Sequence, residues 1–552
     1  MAPRSLASIK SRTDDSSTGK GETFPAVAVA RTPSMNPEIN KDPARTRVLL
    51  ADGGVAGTME DLTGHKRELK VQMGLGALLA LAVANIAPTC AINGSLSTSL
   101  VSGGANAILW GWVVCSFFVC CIAASLAEMC SAWPHAAGQA MWAYQLAPPE
   151  WAPVVSYWTS WLYICGAWAL IAAGAQILAA GLLGIAVAFN PDYVQQDWHL
   201  VLIYIGVLLL FTLVNLFIVR LMDFLTKSFA FVNLASVLAT IIALAACAPV
   251  KQAPSFVFGS QGWINETGWS NKGFVFLLGT LQAGFTLIGM EHSAHLAEEA
   301  HNPARVAPIA VFGGTAIVCI VGFLYIITLL FCVQDVTSIL ETPTGVPPYQ
   351  VFIDAFGLHG ATAAFVINLL ILAFAVIGIQ LASSRSVYSM SRDGGFPGGK
   401  LFRKVNKTLN VPVYALLLQI SVPIILGLLS LATTIIFYAF FQLTTEGYLL
   451  SYLIPIALLL FRGRDLLPPA YWRMPDWLAR ICNAASIAYI VLICVLFCIP
   501  NFYPVNASNM NYTSVILAVA VLFGTAGWYL DARKKYKGPA SQVAHSQTSN
   551  EA

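Results

Sequence analysis

The stretch GTLQAGFTLIGMEHSAHLAEEAHNPARVAP, residues 279–308, begins as an apolar helix of the kind that crosses a membrane and then places a carboxylate at Glu291. Gly284 and Gly289 precede that carboxylate, and Asn302-Pro303 ends the segment. A helix at membrane depth is interrupted only where its freed backbone groups face protein or a water-filled cavity. We therefore expect a broken helix here that lines a binding site for a solute.

The composition is that of a membrane protein. The 552 residues are 57% hydrophobic and only 10% charged, with mean hydropathy +0.70, and a soluble domain would need far more polar surface. Apolar runs long enough to cross a bilayer, about 20 residues each, predict twelve transmembrane helices. They cover residues 72–100, 105–128, 153–188, 199–219, 228–249, 273–296, 307–333, 361–390, 412–430, 433–461, 482–500 and 512–531.

The amino-terminal tail, residues 1–70, is rich in Ser, Thr, Pro, Gly and mixed charge, a composition that predicts disorder. Eleven of the 30 Lys and Arg lie in this tail. If the tail is cytosolic, only Lys251 and Lys272 fall in outside loops. Because positive loops stay on the cytosolic side, we expect both termini to be cytosolic.

Sites for N-linked glycosylation give a second test of this orientation. Three Asn-X-Ser/Thr sequences, at Asn265, Asn506 and Asn511, fall in loops that the charge distribution places outside. Glycosylation requires such a position. Two further sequons, at Asn93 in the first membrane run and at Asn406 in a basic inside loop, are not expected to be glycosylated. The external sequons and the absence of a recognisable sorting signal lead us to prefer the plasma membrane as the location, with the vacuolar membrane as the alternative.

The first apolar run carries polar and helix-breaking residues at its centre. Pro88 removes a helix hydrogen bond, and Gly94 permits a non-helical backbone. A continuous helix with a proline kink is the alternative interpretation. Transporters built from two inverted repeats place interrupted helices at corresponding positions of each half, with the substrate between them. This run and the stretch 279–308 have that relationship, five helices apart.

Further candidates lie in the second and tenth runs. Glu446 is inside the tenth run, where an ionisable residue is a functional candidate by default, and Glu128 ends the second run. Tyr438 and Phe441 share one helix face, as core packing or as the wall of a site. The twelve cysteines lack metal-ligand spacing, so we expect neither a metal site nor a disulfide framework.

Three motifs resemble those of the amino acid-polyamine-organocation (APC) permeases. AEMCSAWPHAAGQAMW (127–142) is similar to the pattern AE-x-x-S-x-x-P-x-x-G-G-x-Y-x-W, and SRSVYSMSRDGGFP (384–397) matches S-R-x-x-x-x-x-x-R-D-G-x-x-P. The end of 279–308 resembles the family's H-x-x-E-E. Over roughly residues 70–532 the chain resembles a fungal member of the branch that includes amino acid, GABA and choline permeases.

The resemblance implies the fold of the leucine transporter (LeuT), an all-α membrane protein in which five helices are repeated with inverted topology. Helices one and six are broken, and two extra helices follow the repeats. The implied divisions are 1–70 as cytosolic tail, 71–250 as the first repeat, 272–461 as the second, 482–532 as helices eleven and twelve, and 533–552 as the cytosolic carboxyl tail.

The resemblance also implies secondary active uptake of a small amine-bearing solute such as an amino acid or GABA, usually driven by protons. Substrate-binding residues then map to the two breaks and the tenth helix: Ala87, Pro88, Thr89, Cys90, Asn93, Gly94, Phe285, Gly289, Glu291, Tyr438 and Phe441. Candidates for proton coupling are Glu291, Glu446, Glu128 and His295. Those for an inner gate are Glu298, Glu299, Arg385 and Arg392.

Because of two departures from the family pattern, the sequence does not decide which groups bind a substrate carboxylate or carry the proton. The glycine-rich G-x-G of many members is absent from helix one, where Pro88-Thr89-Cys90 stands. Some proton-coupled relatives carry a lysine inside helix five, whereas Lys227 lies here at its cytosolic start and Asn233 is deeper.

Other functions stay as alternatives. A choline permease would need an aromatic cage, and polyamines are a further substrate class. The aromatic residues available for such a cage are Phe285, Tyr438, Phe440 and Phe441. A nutrient-sensing receptor with little flux would signal through its tails. No nucleophile and base arrangement, phosphate loop or metal cluster indicates an enzyme or a cofactor. The charge distribution speaks against nucleic acid, which leaves the solute, protons and membrane lipid as partners.

Overall fold

The computed structural model describes residues 74–217, 222–297, 300–406, 409, 411–429, 435–506 and 509–539, with the backbone alone described at 222–230 and 435–438. Within these ranges every regular element is helical, and two isolated β-bridges form no strand. The all-α prediction is therefore confirmed. The predicted tail 1–70, residues 540–552, Glu298, Glu299 and the side chain of Tyr438 lie outside what is described.

The described chain forms twenty α-helices. In order they are α1 (Leu75–Ile86), α2 (Pro88–Val101), α3 (Gly104–Ala132), α4 (Gln139–Leu146), α5 (Ala152–Phe189), α6 (Asp197–Phe217), α7 (Met222–Cys247), α8 (Pro254–Val257), α9 (Lys272–Gly279), α10 (Leu281–Thr286), α11 (His292–His295), α12 (Pro303–Cys332), α13 (Val336–Leu340), α14 (Pro347–Arg392), α15 (Gly399–Phe402), α16 (Val413–Leu429), α17 (Ile435–Arg462), α18 (Asp476–Phe497), α19 (Thr513–Gly527) and α20 (Arg533–Lys535). Within the described ranges, nine spans are long and apolar enough to cross a membrane, α1 and α2 together forming the first. The architecture is that of a multi-pass membrane protein.

The first apolar run is broken at a single residue. α1 ends at Ile86 and α2 begins at Pro88, and Ala87 between them has left-handed dihedrals, φ 42° and ψ 62°. Proline suits the first position of a helix because an N–H at that position has no acceptor within the helix. The break itself was predicted, but it is shorter than predicted. Non-helical backbone was expected as far as Gly94, whereas residues 88–94 form the first turns of α2.

The stretch 279–308 is interrupted more extensively. α10 ends at Thr286, residues 287–291 are not helical, and α11 is a single turn. Gly289 has φ 87°, a conformation that is strained for residues with a side chain. The broken helix predicted around Glu291 is thus present, although Phe285 belongs to α10 rather than to the break.

α5 is the helix against which the elements of the site are packed. A Cβ atom built on Gly174 would lie 2.4 Å from Val376 of α14, and one built on Gly166 would lie 3.0 Å from Tyr448 of α17. Small residues at such contacts let helix backbones approach closely in membrane proteins. α5 is therefore held tightly between α14 and α17.

Candidate functional site

Side-chain hydrogen bonds join the two broken segments. Gln282 of α10 donates from Nε2 to the carbonyl oxygen of Ile92 in α2, at 3.2 Å. Ser99 Oγ donates to the carbonyl oxygen of Gly279 at 2.6 Å. Gly279 ends α9, so this bond satisfies a carbonyl at a helix terminus. The segments that flank the two breaks consequently pack side by side.

The predicted residues at the start of α2 are buried and bonded mainly to other helices. Cys90 Sγ donates to the carbonyl oxygen of Asn368 in α14 at 3.2 Å. Asn93 Nδ2 lies 3.5 Å from Asn368 Oδ1, and Asn93 Oδ1 accepts from Tyr325 Oη of α12 at 2.7 Å. Ala87 and Thr89 are also buried. In this conformation the polar groups of Cys90 and Asn93 fix α2 against α12 and α14.

Three predicted residues, Gly94, Phe285 and Phe441, meet at a cavity between α2, α10, α17 and the end of α18. Its lining is Gly94, Ser95, Ser97, Thr98, Leu281, Gln282, Phe285, Phe441, Gln442, Phe497 and Asn501. The rings of Phe285 and Phe441 lie 4.4 Å apart between centroids. The cavity volume is about 40 Å³, enough for a few water molecules. In this conformation the cavity is too small for an amino acid, and Glu291 is not among its lining residues.

Glu291 lies fully buried at the end of the non-helical stretch. Its Oε2 atom accepts a hydrogen bond from Tyr452 Oη of α17, and the same hydroxyl lies 3.3 Å from the N–H of Gly289. Its Oε1 atom has no hydrogen-bond partner among the described residues and lies 3.7 Å from His292 Nδ1. Burial of a carboxylate is costly unless it is fully paired, so this group is half satisfied.

Two histidines of α11 add acceptor atoms beside this carboxyl group. His292 Nδ1 lies 2.6 Å from the carbonyl oxygen of Gly289, and His295 Nδ1 lies 2.6 Å from that of Ala136. A carbonyl oxygen only accepts, so each Nδ1 carries the proton and, in the neutral ring, Nε2 is an acceptor. Neither Nε2 has a hydrogen-bond partner among the described residues.

Aromatic rings surround the two imidazoles. Tyr163 of α5 lies 4.9 Å from His295, and Tyr448 of α17 lies 5.4 Å from Tyr163 and 6.0 Å from His292, between ring centroids. The structure thus brings Glu291 and His295, both predicted, together with a wall of tyrosines.

Glu446 and Glu128 have other surroundings. Glu446 is fully buried; its Oε1 accepts from Cys498 Sγ at 3.2 Å, and its Oε2 has no hydrogen-bond partner among the described groups. Glu128 at the end of α3 forms a buried ion pair with Arg464 and accepts from the N–H of Met474 at 3.1 Å. The ion pair marks Glu128 as an anchor for the chain after α17.

The predicted inner gate is described only in part. Arg385 and Arg392 lie in the last two turns of α14, and Arg392 Nε lies 3.4 Å from Asp393 Oδ1. The acidic residues expected to meet them, Glu298 and Glu299, lie outside the described residues. This gate therefore stays a prediction.

Several residues of the site were missed by sequence reasoning. Tyr452, Tyr163, Asn368 and Tyr325 contact predicted residues, yet each lies in a separate apolar run where tyrosine and asparagine are ordinary core residues. Asn368 was the one with a detectable signal, an amide within a membrane segment. In the described part of the chain, no group of three His, Cys, Asp or Glu residues suits a metal ion.

Comparison with known proteins places most of the chain in one family. Residues 75–521 match the family model described as amino acid permease. Amino-acid permease BAT1 of Arabidopsis thaliana is 28% identical over 494 residues, which cover 87% of this chain and 95% of the relative. The choline transporter of Saccharomyces cerevisiae is 29% identical, covering 83% and 80%. Amino-acid permease 2 of Neurospora crassa is 29% identical, covering 80% and 81%.

Proposed function

The chain belongs to the amino acid permease family, and on that premise we propose that it takes up a small amine-bearing solute, such as an amino acid or GABA, by proton-coupled secondary active transport. As a family member it is a transporter and not an enzyme. The observation that carries the proposal is the buried carboxyl group of Glu291, placed at a helix break with Oε1 lacking a described hydrogen-bond partner. A protonated amine has N–H donors only and complements such an acceptor.

The surroundings of Glu291 support an amine rather than an anion as the group bound there. The unpartnered Nε2 atom of His292, whose ring lies beside the Glu291 carboxyl group, is a further acceptor. Backbone N–H groups freed by the break would hold a substrate carboxylate, as helix starts hold anions. The substrate-binding residues proposed with Glu291 are those predicted at the two breaks and on α17.

We further propose the LeuT-type arrangement of twelve helices with inverted repeats at 71–250 and 272–461 and two helices at 482–532. Its support is the pair of broken segments in corresponding positions. Two shorter apolar helices, Phe231–Cys247 and Val413–Leu429, and the interrupted region 272–295 add to the nine long spans. Alternating access would then open the small cavity at α2 and α10 to one side and later to the other.

Proton coupling is proposed for Glu291 ahead of Glu446, Glu128 and His295. Glu291 lies at the break itself, where a carboxyl group that binds either a proton or an ammonium couples the two. Glu128 is paired with Arg464, and Glu446 contacts Cys498 beyond α18. The plasma membrane and cytosolic termini complete the proposal, supported by the distribution of Lys and Arg.

Choline is the second candidate substrate because of one specific observation. The rings of Phe285 and Phe441 lie close together beside the cavity, and stacked or tilted rings bind quaternary ammonium groups. A similar protein is named a choline transporter. If the rings of Phe285 and Phe441 move apart when the cavity opens, the space between them would form an aromatic cage for the ammonium group.

Uptake of a radiolabelled panel tests both substrate and coupling. The panel contains the protein amino acids, GABA, choline and polyamines, and is offered at two pH values to a transport-deficient host that expresses the chain. We expect uptake of an amino acid or GABA that is faster at the lower pH. Binding without flux would instead identify a nutrient-sensing receptor.

Glu291→Gln tests the residue that carries the proposal. The amide keeps the shape but cannot carry a negative charge, so we expect loss of uptake or of its pH dependence. Glu341→Gln, at an exposed position, is the matched control. Wild-type uptake with an unchanged pH profile in Glu291→Gln would remove Glu291 from the mechanism.

A further inference from the structure

The last membrane span runs as one helix from Thr513 to Lys535, and the segment that follows it, residues 536–538, is called here the strap. That span is peripheral, since only 17% of its most apolar stretch is buried, and Leu530 near its end is 81% exposed. The strap then turns inward, so that Tyr536 is only 5% exposed. The strap therefore inserts the side chain of Tyr536 into a groove of the protein.

The groove lies between α5 and the loop that joins α14 to α15. On one side Tyr536 Oη lies 2.9 Å from Ser156 Oγ, and the ring of Tyr536 lies 6.2 Å from that of Tyr157. Trp528, in the last turns of the preceding helix, lies 5.0 Å from Tyr157, between ring centroids. On the other side is Gly395, where a Cβ atom would lie 2.8 Å from the ring of Tyr536.

Glycines admit the strap at each close approach. A Cβ atom on Gly394 would lie 3.1 Å from Lys535 Cβ. Within the strap, Gly538 has φ 100°, and a Cβ atom there would lie 2.1 Å from the ring of Tyr144 in α4. The Arg-Asp-Gly-Gly part of the motif at 384–397 therefore has a structural use in this chain: it forms one wall of the groove.

The groove is close to the candidate site along α5. Tyr157 in the groove and Tyr163 beside His295 belong to the same continuous helix, six residues apart, which is about 9 Å of helix. The other wall follows α14, which carries Asn368 to the start of α2. A movement of α5 or α14 that accompanies solute binding would change the width of the groove.

We propose that the strap is an autoinhibitory latch, docked through Tyr536 while the solute cavity is closed and released when solute binds. The inference rests on the proposed function, since it requires a transported solute. In the structure the strap is docked, and the cavity beside Phe285 and Phe441 has a volume of about 40 Å³. Because coupling between two sites is reciprocal, a solute that favours release must bind more tightly once the strap is undocked.

Trypsin measures docking in the native chain, because its cleavage sites at Lys535 and Lys537 flank Tyr536. Cleavage of a docked segment follows the fraction that is open. We expect Tyr536→Ala to speed cleavage there about tenfold, since the mutation removes the inserted ring and, when opening is fast, cleavage rises with the open fraction. Tyr529→Ala is the matched control, because Tyr529 lies in the last turns of the preceding helix and is 62% exposed.

Coupling to the site is tested by adding a mixture of the protein amino acids, GABA and choline to the full-length protein. We expect cleavage of the wild-type strap to rise at least threefold. We also expect Tyr536→Ala and Gly395→Val to lower the KM for uptake about threefold or more, as reciprocity demands. Gly395→Val displaces the strap from the opposite wall and so guards against a folding defect in Tyr536→Ala.

The outcomes separate this proposal from the proposed function. Measurable uptake together with cleavage that does not respond to the mixture would overturn the latch and leave the transporter intact. Unchanged or raised KM in both variants, with faster cleavage, would overturn it as well. Absence of uptake from the whole panel would instead refute the proposed function.

Discussion

The hydroxyl group of Tyr452 donates a hydrogen bond to the carboxyl group of Glu291 from a different helix. The same hydroxyl approaches the N–H of Gly289, so one side chain of α17 contacts both ends of a three-residue piece of the break. The break is thereby fixed in shape by α17 as well as by its own backbone. Exchange of this bond for one to a solute would link binding at Glu291 to movement of α17.

Tyr452→Phe removes the donor to Glu291 and keeps the ring. A hydrogen bond to a charged group contributes about 1.5–3 kcal/mol, so we expect uptake at low solute concentration to fall about tenfold or more. Tyr414→Phe, in a tyrosine that is 44% exposed on α16, should leave uptake unchanged. Equal uptake in the two variants would show that the bond to Tyr452 does not support Glu291.

Glu446→Gln distinguishes two buried carboxyl groups. Phe441 and Tyr452 are three turns apart and share the face of α17 that meets the broken segment, whereas Glu446 points roughly 120° away, where Cys498 contacts it. We expect Glu446→Gln to keep the pH dependence of uptake that Glu291→Gln loses. The initial rate of uptake between about pH 5 and 8, the range over which proteins are usually most stable, measures this. If Glu446→Gln loses the pH dependence and Glu291→Gln keeps it, Glu446 is the residue that carries the coupled proton.

The ion pair of Glu128 and Arg464 predicts a non-additive pair of mutations. Arg464→Met leaves a buried carboxylate without its partner, which destabilises by about 3–5 kcal/mol. Addition of Glu128→Gln removes that charge, so the double mutant should recover much of the loss. Thermal unfolding of the purified protein in detergent gives both values. Simple addition of the two single effects would show that the pair is not coupled.

Substitutions of Ala87 test whether the backbone is strained at the first break. A residue with a side chain in the left-handed region costs about 1–2 kcal/mol relative to glycine, and Ala87 has φ 42°. Ala87→Gly should therefore raise thermal stability slightly with uptake retained, whereas Ala87→Val should lower both. A fall in stability for Ala87→Gly would mean that the alanine side chain, which is buried, contributes more than the strain.

The strap should dock more firmly in acid. Burial raises the pKa of Asp393 to about 6 from its ordinary value of 3.8, against the opposing effect of Arg392. Tyr536 of the strap and Lys535 just before it also face this loop, and Lys535 is paired with Asp531. We expect release of the strap to expose Asp393 to water and to lower this pKa, so docking should weaken as pH rises from about 4 to 6 and then stay level.

Tryptic cleavage of the strap as a function of pH, corrected for trypsin activity on an unstructured peptide, measures this effect. We expect Asp393→Asn to abolish the pH dependence, while Asp335→Asn, remote in sequence at the start of α13, should preserve it. The same pH profile in Asp393→Asn and the wild type would exclude this carboxyl group as the source.

Local sequence was sufficient to locate the two breaks. Pro88 and Gly289 indicate a break from the sequence alone, because a missing N–H and tolerance of a positive φ are properties of single residues. The first break nevertheless proved shorter than expected, since Asn93 and Gly94 accept helical dihedrals once α12 and α14 hold α2 through Asn93. The extent of a break depends on packing that adjacent residues do not reveal.

By itself the sequence determined the all-helical membrane class and the presence of a carboxyl group at an interrupted helix, because hydropathy and helix breaking act over a few neighbouring residues. Only the tertiary structure decided the partners. Tyr452 meets Glu291 across 161 residues, Glu128 pairs with Arg464 across 336, and Tyr536 reaches Ser156 across 380. Such contacts arise from helix packing, which local patterns do not encode.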